Sequence, residues 1–378
     1  MRSEGEYQQC ARCVMDTSDP RIVFDQDGFC NHCTEFLNIR SRYRFEGEAG
    51  KEKLDSLGDE IKRAGRGNKY DCIVGMSGGV DSSYVAYLVC EMGLRPLAVH
   101  MDNGWDSEEA VSNVRKLTSQ LGIDYQSYVL DWEEFRKLQV SFLKASVPEA
   151  ETPTDVAIPA ALHHFAAKNN IKYIISAGNL TTEGILPKSW HYNAKDLKYL
   201  DHIQNTFGQA RLKNFPVFDY KKELYFKLIK GIRILYLLNY VKFTQDEVTN
   251  FLIEKFDYRT CGEKHHESRY TRFIQSYYLY EKFGIDYRRA RSSSEICSGQ
   301  TTRDEALKRL RNKPYDPEDI AREKQYVAKK LQLSIDEFEQ ILARPPKWYW
   351  DYPNDERKLG FIYGFYLKFF GKEKLANF

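Results

Sequence analysis

The sequence predicts an α/β protein: a doubly wound parallel sheet, preceded by a small zinc-binding ribbon and followed by a mostly helical C-terminal region. Short apolar runs alternate with amphipathic helical stretches between Tyr70 and Ala177, the pattern of strands joined by covering helices. Four cysteines in two Cys-x-x-Cys pairs precede this region, and beyond Pro216 the strand signal fades while helical spacing continues. The expected organisation is a ribbon over 1–40, a linker helix over 41–69, a nucleotide domain over 70–216 and a helical substrate or partner domain over 217–378.

Within the nucleotide region, Tyr70-Asp-Cys-Ile-Val-Gly75 reads as a buried strand, and Ser82 to Met92 as a helix stopped by Gly93. Arg95 to Met101 is a second strand, followed by a helix over about 107–122 and a strand near Tyr125–Leu130. Helices follow from Trp132 to Ala145 and from Asp155 to Asn169, and Ile171 to Ala177 closes the series as a strand. The longest apolar stretch, Ile232 to Val241, carries Arg233 and Asn239 and reads as a buried helix.

Composition narrows the class of function. The chain has 378 residues with 56 Lys+Arg against 54 Asp+Glu, a net charge of +2 that argues against a dedicated nucleic-acid binder. No apolar run reaches the roughly 20 residues of a membrane span, and Met1 to Tyr7 has no signal-like character. A cytoplasmic, reduced protein is the expectation.

The most specific signal is Ser77-Gly78-Gly79-Val80-Asp81-Ser82-Ser83 between a strand and a helix. Two glycines permit a tight turn and close approach to an anion, and the amides opening the helix supply donors and a positive dipole end. Asp81 would be repelled by phosphate unless a cation intervenes, which makes it a candidate Mg2+ ligand. The lysine of the Gly-x-x-x-x-Gly-Lys-Ser/Thr loop is absent, which favours grasp of a leaving pyrophosphate over transfer of a γ-phosphoryl group.

This segment resembles the signature of the PP-loop ATP pyrophosphatases, which have a HUP-like fold. The resemblance implies ATP cleaved between its α- and β-phosphates, adenylation of a substrate oxygen, and Mg2+. It also implies an adenosine cradle at the end of the second strand, at Val99, His100, Met101, Asp102 and Asn103, and a second nucleotide-side turn at Gly178 and Asn179.

Cys10-Ala-Arg-Cys13 and Cys30-Asn-His-Cys33 are separated by sixteen residues. Two such knuckles make a closed tetrahedral site, the arrangement of structural zinc. His32 lies inside the second knuckle and reads as a bystander.

Further clusters occupy the C-terminal half: Lys264-His265-His266-Glu267-Ser268, Asp286-Tyr-Arg-Arg-Ala-Arg291 and Cys297-Ser-Gly-Gln-Thr-Thr-Arg303. Lys264, Arg288, Arg289 and Arg303 are candidate counter-charges for pyrophosphate. Together with Cys10–Met15, the loop and Asp155-Val-Ala-Ile158, these segments resemble the N-acetyl sugar amidotransferases. That family is known for the acetamidino groups of bacterial O-antigen sugars, and a relative acts on flagellar nonulosonic acids. Thr301 stands where the resemblance expects Met, and Cys261 where it expects glycine.

The resemblance implies that the carbonyl oxygen of an acetamido group, on a nucleotide-linked sugar such as a UDP-diacetamido uronic acid, attacks ATP to give an O-adenylyl imidate. Ammonia then displaces AMP. Asp155 joins the nucleotide side, and His265 or Glu267 is the candidate proton acceptor. No glutaminase nucleophile is evident, so ammonia is expected from a glutaminase and a cyclase-like partner similar to the histidine-biosynthesis pair. A tRNA thiolase of the same superfamily, with Cys261 or Cys297 carrying sulfur, is the alternative reading.

Overall fold

The computed structural model describes residues 7–208, 212–242, 244–262 and 266–370. Its centre is a five-stranded sheet, all parallel, in the order β3-β2-β1-β4-β5. The strands are β1 (Cys72–Gly75), β2 (Pro96–Asp102), β3 (Asp124–Val129), β4 (Tyr173–Ile175) and β5 (Arg233–Leu235). Before and between them run α1 (Asn31–Tyr43), α2 (Gly47–Ala64), α3 (Val80–Glu91), α4 (Glu108–Leu121), α5 (Trp132–Ala145), α6 (Thr152–Lys168), α7 (Leu180–Glu183), α8 (Leu197–Phe207) and α9 (Tyr220–Leu224). After β5 come α10 (Gln245–Phe256), α11 (Arg269–Phe273), a π-helical turn over Ile274–Tyr278, α12 (Leu279–Phe283), α13 (Tyr287–Ser298), α14 (Arg303–Arg309), α15 (Ile320–Lys330), α16 (Ile335–Leu342) and α17 (Glu356–Phe370).

The elements form where local chemistry favours them. β1 is a fully apolar run that is buried in the middle of the sheet, whereas β3 exposes alternate residues at an edge. Ser107 caps α4 by accepting the Ala110 amide, and Gly122 ends it at φ 63°, the left-handed conformation glycine adopts without strain. Asp131 caps α5 through the amides of Glu133 and Glu134.

Apolar residues of α2, α3, α4 and α10 cover one face of the sheet, and those of α6 cover the other. The largest core lies to one side. There the cysteine knuckles and Phe36 pack with Phe135, Phe142, Trp190, Tyr199, Tyr278, Phe338 and Tyr349, so the ribbon, α5, α8 and the C-terminal helices are consolidated together.

Two expectations need correction. The stretch 232–241 is not one helix: Arg233–Leu235 forms an edge strand beside β4, followed by a 3-10 turn at Leu237–Tyr240. Consecutive β-branched and leucine side chains suit strand pairing there as well as they suit a helix. The sheet layer therefore does not end at 216, because β5 and the α10 residues Val248, Leu252 and Phe256 belong to its core.

Candidate functional site

The order of strands reverses between β1 and β4, and α/β folds bind ligands at the carboxyl ends of strands at such a point. The loop Ser77–Ser83 leaves β1 there and runs into α3. Gly78 has φ +83°, and a Cβ on it would lie 2.4 Å from the Ala110 carbonyl oxygen. Only glycine allows the loop this close to α4. The Gly78 carbonyl accepts from Asn113 Nδ2 at 3.1 Å and from the Tyr258 hydroxyl at 3.2 Å. Inside the loop, the Ser77 amide donates to Ser82 Oγ at 3.2 Å, and the Gly79 amide donates to Ser77 Oγ at 3.2 Å. The loop is thus shaped by its own serines, with Val80 and Asp81 opening the helix and Ser82 and Ser83 buried in its first turn.

Asp81 is buried beside the loop, and its Oδ2 accepts from Asn179 Nδ2 at 3.1 Å. Asn179 follows Gly178 at the end of β4 and caps α7 through the Thr182 amide. The loop and the second turn therefore meet. Glu267 reaches the same place from the C-terminal half: its Oε1 accepts from Ser77 Oγ at 3.1 Å, and a Cβ on Gly79 would come within 2.6 Å of it. Residues 267–269 are held against the end of β2 by Ser107 N donating to Glu267 O at 2.8 Å and Arg269 N donating to Trp105 O at 2.9 Å. Asp81 and Glu267 are the carboxylates that could hold a Mg2+ ion beside the loop. Lys264 and His265 lie outside the described residues.

The β2 residues divide. His100 is buried, with Nδ1 2.7 Å from Met76 O and Nε2 3.1 Å from Asp106 Oδ2. Burial pushes its pKa down, but Asp106 and the Met76 carbonyl outweigh this and hold it above the ordinary histidine value. His100 thus braces the base of the loop. Val99 is core and its carbonyl accepts the Met76 amide; Met101 is half-buried; Asp102 Oδ1 receives the Gly104 amide. Asn103 caps the turn through the Trp105 amide, and its Nδ2 points toward Thr154 Oγ1 at 3.5 Å.

The arginines have other work. Arg303 donates to the carbonyls of Cys13 and Cys10, each at 3.1 Å, and to Gln9 Oε1 at 3.0 Å. Arg289 donates to the Val14 carbonyl at 2.9 Å and pairs with Asp16 at 3.1 Å. Arg288 forks onto Asp286 and onto the carbonyls of Arg309 and Asn312. Their guanidinium groups are engaged with the ribbon and with helix ends, not with the loop. Arg289 on α13 and Arg303 on α14 thus tie these helices to the ribbon through its buried backbone carbonyls.

The four ribbon cysteines are fully buried, with all four sulfurs within 4.8 Å of one another. Cys10 and Cys33 sulfurs are 3.8 Å apart and those of Cys13 and Cys30 3.6 Å. A tetrahedron with zinc–sulfur bonds of about 2.3 Å has edges of about 3.8 Å. The donors therefore fit zinc. His32 turns away to Asp19 at 2.6 Å.

A second polar group holds Asp155, which the resemblance put on the nucleotide side, among partners the sequence did not single out. Asp155 and Glu151, one turn apart at the start of α6, face His191, Trp190 and Tyr287; His191 Nε2 is 3.8 Å from Asp155 Oδ2, and the Trp190 and Tyr287 rings are 6.2 Å apart. Asn113 and Tyr258, which hold the loop, carried no sequence signal.

Two family models match the chain: NAD synthase over residues 51–153, and the C-terminal domain of WbpG-like lipopolysaccharide biosynthesis proteins over residues 267–367. Curated relatives include MJ1599 of Methanocaldococcus jannaschii, an uncharacterised protein 28% identical over 118 residues, covering 31% of this chain and 40% of that protein. The tRNA-specific 2-thiouridylase MnmA 2 of Fusobacterium nucleatum is 26% identical over 164 residues, 40% of this chain and 47% of that protein. The chain thus spans less than half the length of these relatives. Among solved structures, NMN synthetase from Francisella tularensis aligns over 76% of this chain and 98% of its own, at 14% identity and a TM-score of 0.38. The tRNA thiolase NcsA from Methanococcus maripaludis aligns over 88% and 89%, at 15% identity and a TM-score of 0.33. A phosphate loop at the head of a parallel sheet, an NAD-synthase match across that loop and a WbpG-like match from Glu267 onward make the chain similar to WbpG-like proteins and to PP-loop ATP pyrophosphatases.

Proposed function

We propose that this protein uses ATP to exchange the carbonyl oxygen of an acetamido group on a bacterial surface-polysaccharide sugar for nitrogen, giving an acetamidine with release of AMP and pyrophosphate. One observation carries the reading: the hydrogen bond from Ser77 to Glu267 joins the ATP-handling half and the WbpG-like half at a single loop.

The loop amides and serine hydroxyls bind the β- and γ-phosphates as the bond to the α-phosphorus breaks. Bound Mg2+ would supply charge neutralisation beside Asp81 and Glu267. The acetamido oxygen attacks the α-phosphorus and pyrophosphate leaves; ammonia adds to the imidate carbon, loses a proton, and the C–O bond breaks to release AMP. Glu267 is the acceptor for that proton. The adenylyl step is needed because amide resonance makes the oxygen a poor leaving group. Ammonia comes from a separate glutaminase assembly, and the acceptor is a nucleotide-linked sugar.

The test is incubation of the protein with ATP, Mg2+, an ammonium salt and a UDP-linked diacetamido uronic acid. A sugar lighter by about one mass unit, formed with equal AMP and pyrophosphate, supports the reading. AMP without a change in sugar mass refutes the acceptor.

A second reading has its own observation. Cys261 lies beside the loop, 3.9 Å from the Asn113 Nδ2 that also holds the Gly78 carbonyl. A thiol there suits sulfur transfer by a thiolase. Loss of AMP formation in Cys261→Ser would favour it.

A further inference from the structure

The recess at the start of α6 is chemically unusual. Glu151 Oε1 and Asp155 Oδ2 are sealed from solvent and have no hydrogen-bond partner among the described residues, and the same holds for Trp190 Nε1 and Glu149 Oε1. Trp190 and Glu149 are nearly fully buried, at 1% and 3% exposed. Tyr287 stands among these groups: its hydroxyl is held protonated first by burial and then by the negative charges of Asp155, Glu151, Glu149 and Glu183. No lysine or arginine forms an ion pair with Glu149, Glu151 or Asp155 among the described residues; the nearest counter-group is His191, 3.8 Å from Asp155. Acids gathered in a protein interior without a cation keep their protons or take a donor from outside, so the recess suits a positively charged or strongly donating ligand.

Its size follows from the spacing. Apart from the cysteines, no three metal-ligating atoms among the described residues lie mutually within 4.8 Å. A Mg2+ ion, with oxygens at about 2.1 Å, would meet at most two protein ligands here and would fill the rest of its shell with water. An N–H donor at about 2.9 Å from each acceptor bridges wider gaps. Tyr287 and Trp190 supply aromatic faces, which favour a small cation. Asp155 and His191 keep 30% and 35% of their side chains exposed, so the recess is open at one end. Thr154, next to Asp155, meets Asn103 at the end of β2, and Glu183 ends the helix that Asn179 begins. The recess therefore borders the phosphate loop on the carboxyl side of the sheet.

We propose that this recess captures ammonium and takes a proton from it, delivering ammonia to the loop, with Glu151, Asp155 and His191 as its hydrogen-bond acceptors. The inference rests on the amidotransfer reading above. One N–H bond breaks and one carboxyl O–H bond forms, so neutral ammonia leaves with its lone pair free to attack. Burial supports the proton step: it pushes Glu151 up to about 8, with help from Asp155, and Asp155 up to about 7, while keeping His191 down to about 4 and hence an acceptor at neutral pH.

Thallium(I) is the probe, because it matches ammonium in size and scatters anomalously. Crystals of the full chain soaked in thallous acetate are expected to show one anomalous peak between Glu151, Asp155 and His191, abolished by added ammonium and absent in Glu151→Gln. In turnover, Glu151→Gln is expected to raise KM for ammonium about tenfold while KM for ATP stays put. A wild-type crystal with no peak in the recess overturns the proposal, as does a peak displaced by the acceptor sugar but not by ammonium, or a variant that raises both KM values together. The soak needs no acceptor, so a thallium peak in a protein that never modifies a sugar sinks the amidotransfer reading while locating the cation site.

Discussion

Arg303→Ala separates two roles that the sequence leaves equivalent. As a pyrophosphate ligand, Arg303 would affect ATP and little else. The structure spends its guanidinium on Cys13 O, Cys10 O and Gln9 Oε1, at 3.1, 3.1 and 3.0 Å. Each charged hydrogen bond contributes roughly 1.5–3 kcal/mol when its acceptor is left unpaired. Arg303 is half-exposed, so water replaces part of this, and about 2–4 kcal/mol is expected for the set. At about 2–4 °C per kcal/mol, the melting temperature should fall by about 4–16 °C. The zinc knuckle also loses its brace, so a chromogenic chelator should strip metal faster from the variant. Arg303→Lys should recover only part of the loss, since one ammonium cannot fork across three acceptors. The measurements are thermal unfolding, zinc release and KM for ATP. An unchanged melting temperature with a raised KM for ATP, rescued by lysine, would show that the ribbon contacts are incidental.

Gly78→Ala should abolish ATP cleavage, because its Cβ would meet the Ala110 carbonyl at 2.4 Å and φ is +83°; pyrophosphate release reports it, and a variant with normal turnover would mean the loop sits differently. Asp81→Asn removes the charge that Asn179 holds at the loop, and should raise the Mg2+ concentration needed for half-maximal AMP formation about tenfold or more. Cys13→Ser, or stripping of metal, should expose the core shared by Phe36, Phe135 and Tyr349, read as a gain in binding of a hydrophobic dye. In stability against pH, Glu151 and Asp155 hold protons to about 8 and 7 when folded but only to about 4 when unfolded. The folded state binds more protons across that window, so their contribution is full below about pH 4 and is lost as pH rises through 7 to 8. Denaturant midpoints from pH 5 to 9 should fall less steeply in Glu151→Gln, and an unchanged slope would mean Glu151 ionises freely.

What the sequence disclosed depends on whether a residue's role is local or borrowed. The strand–loop–helix around Ser77 to Ser83 is legible because its function is local: glycines for the turn, amides for the anion, with no distant partner required. The same holds for the cysteine knuckles, whose spacing alone sets the sulfur geometry. The arginines misled because a cation in sequence advertises charge but not the acceptor it will meet. Arg289 and Arg303 found theirs some 280 residues away, at the backbone carbonyls of Val14 and Cys13. The edge strand at Arg233–Leu235 was hidden for a similar reason, since three residues have no periodicity of their own and take their conformation from β4. The recess around Glu151 is the extreme case. Its members come from α6, the loop before α8 and the start of α13, and nothing in any one segment states that the others will face it. Lone buried acids are expensive, and several gathered without a lysine or arginine among the described residues are the ground for the cation proposed here. That argument becomes available only once the fold has brought α6 and α13 together, which is why the phosphate loop can be read from the chain and the recess proposed for ammonium only from the structure.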